Sequence, residues 1–275
     1  MELSERKALV TGAGGGFGRA IARGMAARGA DVALADLGDT PEQRDRLEQH
    51  AEEVRGHGRR AVAIAADVRR TEDCERMAEE AIAALGHVDI LVANAGVCSF
   101  GKPWELTEDQ WDSVMSVNLR GVWLTTKFVV PHMIERRAGS IVMTSSRNGL
   151  SVEHNLAHYN ASKAGVISYM KSLALEAGPY GIRVNAVCPT QMADRERTLG
   201  SPQMHTYWDQ VAGKEGATYE EFDRASGAEN LLDTSGQPEF ADVAEGVLWL
   251  ASDRASLVTG TALPMDAGYL VKRGG

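Results

Sequence analysis

Cysteine is scarce in this sequence, and its scarcity argues against two classes of protein. The 275 residues include only Cys74, Cys98 and Cys188, an odd number without the spacing of metal ligands. Neither a disulfide scaffold nor a metal site is therefore expected. We interpret the three as reduced thiols of a cytoplasmic protein, with Cys98 buried rather than reactive. Residues 1–6 show no secretory pattern.

Basic residues and long apolar runs are also in short supply. The chain has 29 Lys and Arg against 38 Asp and Glu, a formal net charge of −9. A nucleic-acid partner is not expected, because phosphate binding needs a basic surface. No apolar run approaches the ~20 residues of a membrane span, so no membrane partner is expected. Hydrophobic (44%) and charged (24%) contents are typical of a soluble globular protein.

A glycine-rich turn lies between an apolar strand pattern and a helix pattern. The strand is residues 7–10, and the turn reads Thr-Gly-Ala-Gly-Gly-Gly-Phe-Gly over residues 11–18. Glycines let the backbone approach a pyrophosphate, which binds at the helix N-terminus. This order of elements indicates a dinucleotide-binding site.

The second strand pattern, residues 31–35, ends at an acidic residue, Asp36. An acid ~20 positions beyond the glycines accepts hydrogen bonds from the adenosine ribose and repels a 2′-phosphate. No Arg or Lys lies in the glycine turn or directly after Asp36. The sequence therefore favours NAD over NADP.

A tyrosine and a lysine, Tyr159 and Lys163, stand four positions apart at the start of another helix pattern. Residues at this spacing share one helix face. A free tyrosine ionises near pH ~10, and a neighbouring ammonium favours the phenolate. The pair is therefore a candidate for proton transfer near neutral pH.

Strand and helix patterns alternate along the chain, which predicts a doubly wound, mainly parallel α/β sheet with ligands beyond the strand C-termini. The two helical patterns within residues 107–137 are expected to end or break near Pro131. The other predicted strands are residues 61–65, 89–93, 140–144, 181–187 and 262–265, and the other predicted helices are residues 41–56, 71–85, a helix through Tyr159 to 177, and 240–251.

Several motifs, taken together, resemble the short-chain dehydrogenase/reductase family over about residues 7–268. Thr11-Gly12-x-x-x-Gly16-x-Gly18 is similar to its cofactor loop, Asp67-Val68 to its adenine-contacting pair, and Asn94-Ala95-Gly96 to its Asn-Asn-Ala-Gly signature. Four residues fall where the family carries its catalytic tetrad: Asn118, Ser146, Tyr159 and Lys163.

The resemblance implies a role for each tetrad residue. Tyr159 would exchange a proton with the substrate oxygen, and Ser146 would orient that oxygen, with Ser145 as a rival. Lys163 would hold the nicotinamide ribose and lower the pKa of Tyr159, while Asn118 would anchor a proton-relaying water. The fold implied is a single Rossmann-like domain over residues 1–275, assembled as a homodimer or homotetramer.

The resemblance also assigns binding residues. The expected NAD contacts are Gly12, Gly14, Gly16, Phe17, Gly18, Asp36, Leu37, Asp67, Val68, Asn94, Ala95, Gly96, Tyr159, Lys163, Pro189 and Thr190. The expected contacts with a small-molecule substrate are Ser146, Asn148, His154 and Tyr159.

An enlarged segment of about residues 190–238 interrupts the alternation. The family places its substrate cover here, and we interpret the segment as a lid with two short helices, about 202–212 and 219–225. A surface insertion that packs subunits together is the alternative. Thr190 stands where the family usually has Gly, and Asp194 stands where a cofactor-contacting Thr is common, so Asp194 is left out of the site.

Two features point to different substrates. Arg147, Glu153, His154 and Asn155 between the catalytic residues suit a hydroxylated or acidic substrate. In contrast, a resemblance to carveol-type terpene alcohol dehydrogenases lies in Pro189-Thr190, Ala157-His158-Tyr159 and Leu263-Pro264-Met265-Asp266-Ala267-Gly268. Trp208 with Tyr207 could cover a cyclic alcohol. The expected reaction interconverts a secondary alcohol, cyclic or polyhydroxylated, and its ketone.

Two other functions stay open at this point. A sugar epimerase or dehydratase shares the Tyr-x-x-x-Lys motif, and its Gly-x-x-Gly-x-x-Gly spacing is met by Gly12, Gly15 and Gly18. A non-catalytic NAD-binding sensor could keep the same glycine turn. The short chain argues against the first, and the complete tetrad argues against the second.

Overall fold

Seven parallel strands form the central sheet of the protein in this computed structural model, which describes residues 2–192, 208–209, 211–232 and 238–273. The strands are β1 (Lys7–Thr11), β2 (Asp31–Asp36), β3 (Ala61–Ala65), β4 (Ile90–Ala93), β5 (Gly139–Thr144), β6 (Ile182–Pro189) and β7 (Ala262–Met265). They lie in the order β3-β2-β1-β4-β5-β6-β7. The winding direction reverses between β1 and β4, and such a reversal opens a crevice for ligands.

Helices cover both faces of the sheet. The helices of the described residues are α1 (Gly16–Ala27), α2 (Pro41–Gly56), α3 (Thr71–Leu85), α4 (Glu108–Met115), α5 (Gly121–Arg136), α6 (Ala157–Ala177), α7 (Tyr219–Ala228), α8 (Phe240–Ala251) and α9 (Tyr269–Lys272). One apolar core lies under α3, α5 and α6, and a second lies under α1, α2 and α8. The predicted Rossmann-like, doubly wound α/β fold is confirmed.

The predicted break near Pro131 is wrong. Pro131 lies inside α5, which continues to Arg136. The chain instead changes from α4 to α5 through a π-helical turn at Ser116–Arg120. Such turns widen a helix locally and are frequent at functional sites, and this one carries Asn118.

The lid segment is described in part. Helix α7 covers the second predicted lid helix and runs three residues further, to Ala228. Of the first, about 202–212, residues 208–209 and 211–212 are described and are helical, and the rest lie outside the described residues, as does Asp194. Across the described ranges, none of the helices is both long and apolar enough to span a bilayer.

A buried ion cluster joins the start of the sheet to the loop before β3. The Asp31 side chain is 4% exposed and lies 3.0 Å from Lys7 Nζ, 2.8 Å from Arg59 Nη2 and 2.9 Å from Arg60 Nε. Burial alone would raise the pKa of Asp31. The hydrogen bonds from Arg60 and Lys7 together outweigh burial and hold that pKa far below its usual range.

We predict that Asp31→Asn lowers the free energy of unfolding by about 3 kcal/mol at pH 7, because it leaves the buried Lys7 ammonium without its carboxylate partner. Because the folded-state pKa is depressed, the loss should shrink as pH falls below about 4, where the unfolded carboxyl becomes protonated. Urea unfolding measures both effects. The control is Asp253→Asn, whose partner Arg6 meets it at an exposed site, and whose cost should stay below about 1 kcal/mol. Equal losses in the two variants would contradict the prediction.

Candidate active site

The glycine turn between β1 and α1 packs so closely that side chains are excluded. Gly12 has a φ of 69°, and a Cβ there would lie 2.8 Å from the Cα of Ala95. A Cβ on Gly18 would collide with the carbonyl oxygen of Gly12. Glycine at both positions lets the backbone fold tightly over the end of β4, so the N-terminus of α1 faces the crevice.

Asn94 links the ends of three neighbouring strands. Its backbone N–H donates to Thr11 Oγ1 at 3.0 Å, and its Nδ2 donates to the Thr11 carbonyl at 3.0 Å. Its Oδ1 accepts from Thr144 Oγ1 at 3.1 Å. The Thr144 carbonyl in turn accepts from Lys163 Nζ at 2.9 Å. Hydrogen bonds of Asn94 and Thr144 therefore connect the glycine turn with Lys163.

Asp36 is held at the mouth of the crevice by backbone donors. Its Oδ2 accepts from the N–H of Gly14 at 2.6 Å, and its Oδ1 accepts from the N–H of Leu37 at 2.7 Å. Each oxygen keeps a further lone pair for a ribose hydroxyl. The carboxylate is thus oriented before any ligand arrives.

A cavity of about 340 Å³ collects most of the predicted cofactor residues. The predicted contacts that line it are Gly12, Gly16, Phe17, Gly18, Asp36, Leu37, Asp67, Val68, Asn94, Ala95 and Gly96. A helix N-terminus, a glycine cradle and a fixed carboxylate at one opening fit a dinucleotide. Within the described ranges, no cluster of His, Cys, Asp or Glu could hold a metal ion.

Five of the predicted cofactor residues lie outside the lining of the 340 Å³ cavity: Gly14, Tyr159, Lys163, Pro189 and Thr190. Pro189 pairs with Met265 in the sheet, and Thr190 Oγ1 accepts from Arg147 Nη1 at 2.9 Å. The Thr190 hydroxyl thus serves a buried guanidinium.

Ser146, Tyr159 and Lys163 converge at the end of β5. The Ser146 side chain lies close enough to Tyr159 to lower the pKa of the tyrosine. Lys163 Nζ lies 5.7 Å from the centroid of the Tyr159 ring. Ser145, the rival of Ser146, is buried and donates to the Lys163 carbonyl at 2.8 Å. Ser146 is therefore the serine that faces Tyr159.

Burial opposes charge on both members of the Tyr-Lys pair. Poor hydration raises the pKa of Tyr159 well above its usual value, and the nearby Cys98 thiol adds to this, while the Ser146 side chain lowers it. The direction is the opposite of the one expected from Lys163 alone. Burial also lowers the pKa of Lys163, to about 8. Most of the lysine is therefore charged at pH 7.

Asn118 is fully buried in the π-helical turn, with its side chain fully used. Its Oδ1 accepts from the N–H of Val97 at 2.8 Å, and its Nδ2 donates to the Val97 carbonyl at 2.9 Å and to Ser162 Oγ at 3.1 Å. Both amide protons are taken, so this side chain positions the segment after β4.

The polar residues between Ser146 and Tyr159 mostly form hydrogen bonds with one another and with Asn160. Arg147 is 3% exposed and donates to Glu153 at 2.6 Å. Asn148 is buried and donates to Asn160 at 3.0 Å. Asn148 and the exposed His154 line a second cavity of about 1010 Å³, whose described lining includes neither Ser146 nor Tyr159. This placement argues against direct substrate contacts from Asn148 and His154.

The segment after β4 supplies cleft residues that no sequence pattern indicated. Cys98 is exposed, contrary to the expectation of burial. Its sulfur is nevertheless poorly hydrated, which raises the pKa of the thiol to about 12. Ser99 Oγ lies 2.7 Å from Nε2 of the buried His158. The residue directly before Tyr159 therefore fixes the hydroxyl of Ser99 in place.

An aromatic cluster joins the lid to the same segment. Trp208 and Phe222 are buried and stacked, with ring centroids 5.7 Å apart, and Tyr219 meets Trp208 edge-on at 5.6 Å. Phe100 packs against this cluster. The described part of the 190–238 segment thus packs its aromatic rings against the segment after β4.

Comparisons with known proteins agree with this geometry. Residues 6–198 match the family model described as short chain dehydrogenase. The (−)-trans-carveol dehydrogenase of Rhodococcus erythropolis is 39% identical over 96% of this chain and 97% of its own. The crystal structure of carveol dehydrogenase from Mycobacterium avium in complex with NAD is 35% identical, with a TM-score of 0.90 over 98% of this chain and 99% of that one. The structure of levodione reductase is 29% identical, with a TM-score of 0.82 over 97% and 98%.

We predict that Gly18→Ala weakens NAD binding at least about ten-fold and destabilises the fold by about 1–3 kcal/mol. The reason is that its Cβ meets a backbone carbonyl that cannot move without displacing the turn. Titration calorimetry and thermal unfolding measure the two effects. Gly178→Ala is the control, because a Cβ there meets nothing within 4 Å and its backbone is helical. A Gly18→Ala protein that binds NAD like the wild type would refute the assignment.

Proposed function

Because the chain belongs to the short chain dehydrogenase family, we propose that it interconverts a secondary alcohol and its ketone with NAD. The observation that carries the proposal is the meeting of Ser146, Tyr159 and Lys163 beside a dinucleotide-shaped cavity. The nicotinamide accepts or supplies the hydride when NAD is bound. What remains for the protein is to orient the substrate and move one proton.

The cavity residues divide the work of holding NAD. The N-terminus of α1 and the glycine turn would hold the pyrophosphate. Asp36 would accept from the adenosine ribose hydroxyls, and Asp67 with Val68 would border the adenine. The Lys163 ammonium uses one donor on the Thr144 carbonyl and keeps two for the nicotinamide ribose.

Proton transfer would take place at the Tyr159 hydroxyl. During alcohol oxidation the phenolate takes the hydroxyl proton of the substrate, and during ketone reduction the neutral hydroxyl returns it. Ser146 donates to the substrate oxygen and holds it in line. Burial favours the neutral tyrosine, so the positive charge of Lys163 is needed to make its phenolate accessible.

The cleft supports a cyclic, largely apolar substrate over a sugar or hydroxy acid. The charges between Ser146 and Tyr159 are paired with each other, as Arg147 with Glu153 shows. The described cover is aromatic, with Trp208 and Phe222 packed against Phe100. Carveol and levodione, in the names of two relatives, are a cyclic alcohol and a cyclic ketone.

Self-association as a homodimer or homotetramer and a cytoplasmic location stay predictions. Trp111 on α4 and Trp123 on α5 are 41% and 43% exposed, and exposed aromatic residues support a contact between copies of the chain. The enlarged lid within one domain is likewise part of the proposal.

We predict that Tyr159→Phe lowers kcat at least about 100-fold and leaves the NAD dissociation constant within about two-fold, because only the proton donor is lost. The measurement is NADH formation across terpene alcohols, steroids, aryl alcohols, sugars, polyols and hydroxy acids. Tyr180→Phe, at a partly exposed tyrosine outside the cleft, is the matched control. Equal turnover of wild type and Tyr159→Phe would overturn the mechanism. NAD binding without net NADH from any alcohol would favour the epimerase or the sensor.

We predict that Asp36→Asn narrows the preference for NAD over NADP by about ten-fold or more. Removing one carboxylate charge ~4 Å from a 2′-phosphate relieves a repulsion of about 1–4 kcal/mol. The ratio of kcat/KM for the two cofactors measures it. Asp45→Asn changes an exposed charge on α2 and should leave the ratio unchanged. An unaltered ratio in Asp36→Asn would mean that another group rejects NADP.

A further inference from the structure

A buried arginine stands directly after the catalytic serine. Arg147 is 3% exposed, and its guanidinium donates to Thr190 Oγ1 at 2.9 Å and to Glu153 Oε1 at 2.6 Å. The ring of Tyr269 lies 3.5 Å from the guanidinium carbon, measured to its centroid. A charge buried this deeply is costly unless it is fully paired, and here three chain segments share the pairing.

The same partners also bond one another. The Tyr269 hydroxyl donates to Glu153 Oε1 at 2.8 Å, the oxygen that accepts from Arg147. Glu229 lies 4.0 Å from Arg147 and pairs with Arg273, whose guanidinium carbon stands 4.9 Å from the centroid of the Tyr269 ring. We call this group the Arg147 cluster, and its members are Arg147, Glu153, Thr190, Glu229, Tyr269 and Arg273.

The segment that carries Tyr269 also holds the end of the lid helix. Lys272 Nζ donates to the carbonyls of Ala228 and Asn230 at 2.7 and 2.9 Å. The N–H groups of Leu231 and Leu232 donate to the Ala267 carbonyl at 2.9 and 3.0 Å. The C-terminal side of α7 is therefore tied to residues 267–272, and through Tyr269 to the loop that begins at Ser146.

We propose that Arg147 is a positioning residue, which fixes the Ser146 loop to the lid through Tyr269 and balances the charge of Glu153 beside Tyr159. This inference rests on the proposed dehydrogenase reaction. Arg147 directly follows Ser146, so its contacts with Thr190, Glu153 and Tyr269 hold the backbone next to Ser146 in a single orientation. A role in stability alone would require no effect on the proton chemistry of Tyr159.

The pKa of Tyr159 distinguishes a positioning role of Arg147 from a role in stability alone. The ionisable groups around Tyr159 are Cys98, Glu153, Arg147 and Lys163. Glu153 raises the pKa of Tyr159, and Arg147 lowers it. Removing Arg147 should therefore raise the pKa of Tyr159, and removing Glu153 should lower it. A general loss of stability would not move this pKa in opposite directions in the two variants.

The first test is the pH profile of kcat for alcohol oxidation in two variants. Arg147→Met leaves the Glu153 carboxylate unbalanced, so the rising limb should move to higher pH, and kcat at pH 7 should fall at least about ten-fold. Glu153→Gln leaves the cation unbalanced, so the limb should move to lower pH. Arg147→Lys keeps the charge without the planar fork and stack. It should keep the wild-type limb while its KM rises about three-fold or more.

The matched control is Arg137→Met. Arg137 also lies over a tyrosine, with its guanidinium carbon 5.9 Å from the centroid of the Tyr180 ring, at an exposed site far from the cleft. It should leave kcat and the pH profile unchanged. The inference would be overturned if the rising limb of the pH profile stayed in place in both Arg147→Met and Glu153→Gln. It would also be overturned if the limb moved in the same direction in both variants. Should Arg147→Met fail to fold, Glu153→Gln and Arg147→Lys decide by the same criteria.

A second test does not depend on turnover and so separates failure of the inference from failure of the proposed function. Tyr269→Phe removes one hydroxyl from the cluster. It should speed amide hydrogen exchange in residues 147–156 and 226–232 several-fold, with the dissociation constant of NAD unchanged. Tyr180→Phe should leave both segments as in the wild type. Unaltered exchange in Tyr269→Phe would overturn the link between lid and catalytic loop, whatever the enzyme oxidises.

Discussion

The active cleft depends on one side chain, the carboxamide of Asn94, which joins the ends of β1, β4 and β5. Its bonds to Thr11 and Thr144 keep the two halves of the sheet in register at the point where the winding reverses. The glycine turn on one side and Lys163 on the other are both fixed through it. A flexible side chain here would separate the cofactor cavity from the proton-transfer residues.

Burial of the cleft disfavours the charged side chains that the proposed reaction needs. Poor hydration favours the uncharged forms of both Tyr159 and Lys163, whereas proton transfer needs the phenolate accessible and the ammonium present. The charges that the protein places nearby therefore matter more than they would in water. On the proposed mechanism, the Arg147–Glu153 ion pair is one such set of charges.

The sequence predicted those parts of the site that come from local patterns. The glycine turn, Asp36 and the Tyr-Lys pair each depend on spacing within one strand, turn or helix, and the structure brings them to one edge of the sheet. The predicted helix break near Pro131 was wrong because tertiary packing tolerates a proline inside α5. Arg147 and Tyr269 could not be paired in advance, since 122 positions separate them and nothing in local spacing encodes such a contact.

The order in which the strands are synthesised has a consequence for how the site matures. All four predicted catalytic residues precede β6 in the chain, in the π-helical turn, directly after β5 and on α6, whereas the Glu153 partner Tyr269 lies 116 residues further on. A nascent chain lacking β7 and α9 carries the whole tetrad but leaves Arg147 without its aromatic partner. The buried pairing of Arg147 is therefore completed by residues that are synthesised more than 100 positions after the tetrad.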